Sequence, residues 1–500
     1  MKVTLIRPPA YSAGFMGVQR VPYLGIAYVA AAARQAGYAV DIIDMCGEAL
    51  DRTEIVHGKY VAYGMAFAAL QDRLHASDVI GFTCMFSQDW VFNRELIQYV
   101  HTLSPASILV AGGEHVSAIP DYCLNDCAEL DVCVIGEGEE VFVNLLNVLV
   151  KDADWATVAG LAYRASGAAN ITHTPKAPRI QDLDRLPLPA WDLTPLEHYL
   201  ARSLNYHLQR GRTIPMLASR GCPYQCTFCS NFTMWRTPWV ERSPQRIADE
   251  IETYLARYQA TNFVFSDLTA VVRKDHIVAF CYEILRRGLR ITWQLPTLRT
   301  ESLDRATCAL MYQAGCRELD FAVESGSTRV LASVHKKNDP AKIAGLIKDS
   351  LAVGMNLSIN MIVGLPEEGY RDFLKSYMFV MRLAWRGLHE VNAFPFIPYP
   401  GSQLFHEFWE TGKLRLEDRY FLALFGYADL FSAVSWSNRF SPRMLSFLRL
   451  FMMASFYSLM LLSHPQRLFR LLKNAWRGES STKLEGVLKR AITNIRHYRK

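Results

Sequence analysis

Three thiols fall within eight positions in GCPYQCTFCS, Gly221 to Ser230: Cys222, Cys226 and Cys229. Cysteine thiolates ligate zinc or iron–sulfur clusters, and ligand number helps to separate the two. A structural zinc site needs four ligands, typically from two cysteine pairs, and no second pair follows at such a spacing. Three ligands suit a 4Fe–4S cluster that keeps one iron open to a bound molecule. Gly221 and Pro223 make the segment a turn, which argues against three unrelated core cysteines. Polar residues and glycines also stand where later apolar runs end, in FSDL, ITWQLPTLR, FAVESGS and MIVGLP. Nearer the amino terminus, Arg7, Thr83, Gly112-Gly113 and Gly136-Glu137-Gly138 occupy the same kind of position.

Such residues need strands that end together. Over residues 1–150, apolar β-type runs (VTLIRPP, YAVDIID, SDVIGFTCMF, ASILVAGGEH, LDVCVIGEGEE) alternate with helical sequence. That alternation predicts a parallel, doubly wound, Rossmann-like sheet, which binds ligands at the carboxyl ends of its strands. Residues 151–205 lose periodicity and are punctuated by prolines, reading as a packed linker. Over 206–405 six more β-type runs alternate with helices, predicting a partial (β/α)6 barrel with its site on the loops after the strands. The cysteine loop follows the first of them. Residues 406–500 read as helical, aromatic and finally basic.

The chain has 500 residues, half of them apolar and a fifth charged, enough for two or three folded domains. Its eleven cysteines are odd in number and mostly scattered through apolar runs, as reduced buried thiols are. The start, MKVTLIRPP, lacks the apolar core of a secretory signal, so a reducing cytoplasm is expected. Leu445–Leu462 is apolar but contains Arg449, which favours a buried helix over a membrane span. The net charge of +6 is concentrated in the tail, where ten Lys or Arg between Arg467 and Lys500 face only Glu479 and Glu485. Either an interfacial helix touching the inner membrane face or a solvated basic face fits RLFRLLKNAWRG. Nucleic acid is not expected, because the basic residues do not run along a groove.

CxxxCxxC with Phe228 before its last cysteine resembles the signature of the radical S-adenosylmethionine (SAM) superfamily. The resemblance implies a 4Fe–4S cluster on Cys222, Cys226 and Cys229 whose open iron chelates SAM. It places Phe228, Asp267, Arg299, Glu324, Ser325 and Gly364 around SAM, although Leu268 stands where many relatives carry a second acid. Glu324 also reads as a solvated turn residue, and Arg299 as one half of a surface ion pair. The glycine-rich strand ends of the first domain resemble the cobalamin-binding domain fused to many radical SAM enzymes. Arg7, Thr83, Gly112, Gly113, Gly136, Glu137 and Gly138 are the expected cobalamin contacts. No Asp-x-His-x-x-Gly supplies a cobalt ligand, and His115 reads as a polar loop residue at the sheet edge.

The family reading is a class B methyltransferase: a 5′-deoxyadenosyl radical activates an unactivated carbon, and methylcobalamin delivers the methyl group. It implies a small-molecule substrate, with a hydrophobic one suggested by the tail, and an electron donor such as flavodoxin or ferredoxin. A cobalamin radical SAM cyclase or rearrangement enzyme uses the same parts. A non-catalytic cobalamin or redox sensor is the reading from another class, and the SAM-type strand ends argue against it. Methylthiotransfer is disfavoured, since the amino-terminal cysteines form no triad.

Overall fold

The structure is a computed structural model describing residues 1–13, 18–74, 76–164, 170–202, 210–299, 303–430, 433–477 and 485. Its first sheet contains β1 (Lys2–Arg7), β2 (Ala39–Asp44), β3 (Val79–Thr83), β4 (Ile108–Gly112) and β5 (Val132–Val134). They run parallel in the order 2-1-3-4-5. These apolar runs are buried because helices α1 (Leu24–Gln35), α2 (Trp90–Leu103) and α3 (Gly138–Val150) cover the sheet. Order reverses between β1 and β3, opening a crevice at the carboxyl ends. Cys123, Cys127 and Cys133 are fully buried packing residues.

The segment from residue 151 is more than a linker. It supplies β6 (Leu161–Arg164) and β7 (Ile171–His173), which extend the first sheet antiparallel beyond β5. Runs of four and three residues are too short to show alternation, yet they cover what would be a free edge of β5.

The second sheet has β8 (Thr213–Met216), β9 (Asn262–Phe265), β10 (Thr292–Leu298), β11 (Cys316–Glu324), β12 (Asn356–Val363) and β13 (Glu390–Pro395). All are parallel and lie in chain order, and among the described residues β8 and β13 are the two edges, so the barrel is partial. Phe263, Phe265, Trp293, Phe321 and Ile359 point from the strands into a core against the outer helices. Those helices begin where the sequence offers caps: Ser243 Oγ accepts from Arg246 N, with Pro244 in the first turn.

The apolar carboxy-terminal run is α4 (Pro442–Ser463), the one helix among the described residues long and apolar enough to cross a membrane. It packs on the barrel instead, placing Leu445, Met452, Phe456 and Met460 in the same core. Arg449 is buried and donates to the carbonyls of Ala393 (2.8 Å), Asp429 (3.0 Å) and Tyr427 (3.3 Å). α5 (Pro465–Arg477) follows, and Arg467 donates to Gly387 O and Leu388 O. Leu468, Phe469 and Leu472 of α5 are exposed. Most of the basic tail lies outside the described residues, so the expectation of membrane contact rests on α5 alone.

Candidate functional site

The loop that carries the thiols is held at both ends. Ser219–Arg220 pairs antiparallel with Val240–Glu241, closing its stem. Gly221 takes a φ of +87°, and a Cβ there would overlap Pro238 O. No other residue type fits that approach. Further on, Cys229 N donates to Cys226 O (3.0 Å) and Thr227 N to Val334 O (3.1 Å). Leu404 N donates to Thr227 O (3.0 Å), so the loop is tied to the far end of the barrel.

All three thiols are free. Partial burial pushes the Cys222 thiol up, so it is protonated without a metal and must lose a proton to bind one. Among the described residues no three His, Cys, Asp or Glu side chains converge as around a single ion. A donor set of three cysteines on one open loop instead fits a cluster, in which each thiolate meets its own iron. Arg299 lies 4.0 Å from Cys226 Sγ, stacks over the Tyr224 ring (3.4 Å to its centroid) and donates to Lys337 O. Arg299 is thus buried beside Cys226 and not on the surface.

Glu324 ends β11 just after a register shift and has a φ of +66°, strained for a residue with a Cβ. Its carboxylate pairs with Lys336 at 3.1 Å, both side chains being buried, so it is no solvated turn residue. Nothing in the sequence signals Lys336, which reaches back twelve residues from a loop. Asp267 and Ser325 sit at strand ends as expected but bond within the protein. Asp267 accepts from Ala218 N (3.1 Å) and Ser219 Oγ (2.5 Å), and burial raises its pKa to about 6. Ser325 Oγ meets Ser376 Oγ at 3.1 Å. Gly364 N donates to Glu368 Oε2 (2.5 Å). Phe228 is half-buried against the core shared with the first domain.

A cavity of about 360 Å³ opens between the two sheets. From the first domain Thr83, Gly112, Gly113, Gly136, Glu137 and Gly138 line it, with Tyr23 and Phe86. From the barrel come Leu217, Ser266, Leu268, Arg220, Gly221 and Trp235. Gly112 and Gly136 form a cradle: a Cβ on them would meet nothing closer than 4.0 Å and 3.9 Å, so methyl groups there would take cavity space. That bare backbone fits a large flat ligand such as a corrin.

Two expectations for this cavity fail. Arg7 does not line it, because its guanidinium pairs with Asp44 (3.2 Å), bonds the Tyr199 hydroxyl and lies over the Tyr23 ring. His115 is not a loop-edge residue. It is fully buried, with Nδ1 2.9 Å from Ser87 Oγ and its ring between Trp90 and Phe421, and burial lowers its pKa to about 3. Glu137 does reach the cavity wall, but both its carboxylate oxygens are held by arginines.

A B12 binding domain model matches residues 18–146, and a Radical SAM superfamily model matches residues 216–380. An uncharacterized methyltransferase of Pyrococcus horikoshii is 27% identical, over 82% of this chain and 83% of its own length. The anaerobic magnesium-protoporphyrin IX monomethyl ester cyclase of Rubrivivax gelatinosus is also 27% identical, over 81% and 70%. Among solved structures, the radical SAM methyltransferase TsrM of Kitasatospora setae, with cobalamin and a [4Fe-4S] cluster bound, superposes with a TM-score of 0.64 at 17% identity. That match covers 82% of this chain and 78% of TsrM, and it establishes a shared fold. Fold order, cysteine loop and both domain matches agree: the chain is a radical SAM enzyme with an amino-terminal B12-binding domain.

Proposed function

We propose that the chain is a cobalamin-dependent methyltransferase that adds a methyl group to an unactivated carbon of a small molecule. One observation carries this: a single cavity is lined by the strand ends of both sheets and reaches Gly221, next to Cys222. When bound, the cluster supplies an electron, SAM supplies a methyl group and a radical precursor, and cobalamin carries the methyl group. In this reading Cys222, Cys226 and Cys229 hold the cluster, while Phe228, Arg299, Glu324 and Lys336 surround SAM. Asp267, Ser325 and Gly364 shape the strand ends beneath it. Gly112, Gly113, Gly136 and Gly138 admit the corrin face, with Thr83 and Glu137 at its edge. Tyr23, Phe86 and Trp235 keep water from the reacting carbon. Residues 1–173 form the cobalamin unit, 206–405 the SAM barrel, and the region from 406 its helical cover. Reduction calls for a low-potential donor of the flavodoxin or ferredoxin kind, in a cytoplasmic setting.

The test uses anaerobically reconstituted protein with cobalamin, a reductant, a panel of candidate acceptors and SAM with a deuterated methyl group. S-adenosylhomocysteine, 5′-deoxyadenosine and label in the product are expected from wild type and lost in Cys226→Ala. The cyclase relative favours a second reading, ring closure or rearrangement, which predicts 5′-deoxyadenosine and an unlabelled product.

A further inference from the structure

Four charged side chains join the cavity wall to the stem of the cysteine loop. Glu137 accepts from Arg179 Nε (2.6 Å) and from Arg220 Nη1 (3.1 Å), while Glu139 accepts from Arg220 Nη2 (2.5 Å). All four side chains are buried, the most exposed being Arg179 at 8%. Both guanidinium groups lie over the Trp235 ring, 5.3 and 5.6 Å from its centroid. Arg179 also bonds the carbonyls of Trp235 and Pro238, the latter being the oxygen that packs against Gly221.

The placement of these charges is specific. Glu137 and Glu139 flank Gly138 at the start of α3, where residues 136–139 line the cavity, and Arg220 lies two residues before Cys222. A ligand that presses on residues 136–139 therefore acts on a side chain bonded to the stem of the thiol loop. Burying ion pairs gives little net stability, and well-packed apolar residues commonly do as well or better. What a closed set of two carboxylates and two guanidiniums does provide is a fixed relative position of three segments, because displacing any member leaves a buried charge unpaired.

We propose that Arg220, held by Glu137 and Glu139, is a positioning residue that couples the two cofactor sites, so that corrinoid and SAM bind cooperatively. The proposal rests on the reading of the cavity as the cobalamin site. In the full-length, cluster-reconstituted protein, the Kd for SAM is measured with and without saturating hydroxocobalamin, and the converse. Wild type should show at least a ~5-fold tightening, equal in both directions because linkage is reciprocal. Glu139→Gln keeps the shape and removes one charge, and its ratio should fall below ~2 with iron content unchanged. Should that variant lose iron, Arg220→Lys, which keeps the charge without the fork, decides by the same ratio. A ratio of one in wild type, or an unchanged ratio in the deciding variant, overturns the coupling. Failure of wild type to bind hydroxocobalamin at all would instead remove the functional reading beneath it.

Discussion

Gly221 and Gly136 share nearly the same backbone dihedral, φ +87° and +86°, in different surroundings. A Cβ on Gly221 would lie under 3.0 Å from Pro238 O, a backbone atom, whereas on Gly136 the nearest atom is 3.9 Å away. Replacing either with alanine incurs the left-handed penalty, about 1–2 kcal/mol. Gly221→Ala must in addition shift the Arg220–Cys222 backbone or the Pro238 carbonyl by roughly 1 Å to regain ordinary contact. For domains of this size the shared penalty should lower the midpoint of thermal unfolding by about 2–8 °C in both variants. The added displacement moves Cys222 and should show elsewhere: iron and sulfide content after anaerobic reconstitution should drop in Gly221→Ala and stay near wild type in Gly136→Ala. Gly136→Ala should weaken hydroxocobalamin binding instead, since its methyl group takes cavity space. Equal iron content in the two variants would refute the reasoning, because the thiol loop would then not depend on that backbone approach.

Lys336→Met leaves the buried Glu324 carboxylate without its counter-charge, which should cost about 3–5 kcal/mol and raise the Kd for SAM, read by calorimetry with Lys336→Arg as the retaining control. Asp267 titrates near pH 6 in the folded protein against 3.8 for a free side chain, so its proton favours the folded state. Stability from this group is full below pH ~4 and falls by about 3 kcal/mol as pH rises through 6. Thermal unfolding of the SAM-free protein from pH 4 to 7.5 should show that slope, and Asp267→Asn should flatten it. Tyr399 accepts from Ser87 N (2.7 Å) and donates to Gln88 Oε1 (3.0 Å) across the two domains. Tyr399→Phe leaves the Ser87 amide unpaired, costing about 1–3 kcal/mol, which chemical denaturation would report.

The candidate thiol cluster was legible because all three cysteines lie within one loop, where spacing is itself geometry. The doubly wound sheet and the barrel were legible for a related reason, since each strand–helix alternation is local. What stayed hidden depends on contacts across the chain. Glu137 looks free in GEGEE, but its partner Arg179 lies 42 residues away in a proline-rich stretch. Arg7 looks like a strand-end ligand until Asp44 and Tyr199 occupy it. Lys336 follows no pattern that marks it as the partner of Glu324. β6 and β7 escaped because sheet extension was decided by the open edge of β5 and not by their own composition.

Arg449 has a consequence for how the chain can be cut. Among the described residues strand β13 is the last of its sheet, with no further strand beside it. The Arg449 guanidinium serves one of its carbonyls, Ala393 O, while the apolar face of α4 completes the barrel core. A chain ended at Phe405 would keep every cysteine and strand-end residue of the candidate site. It would also present an unpaired strand edge beside the apolar surface that α4 had covered, the combination from which strand-to-strand aggregation starts. The carboxy-terminal helix is thus a seal on the barrel, and dissection of the catalytic unit has to carry it along.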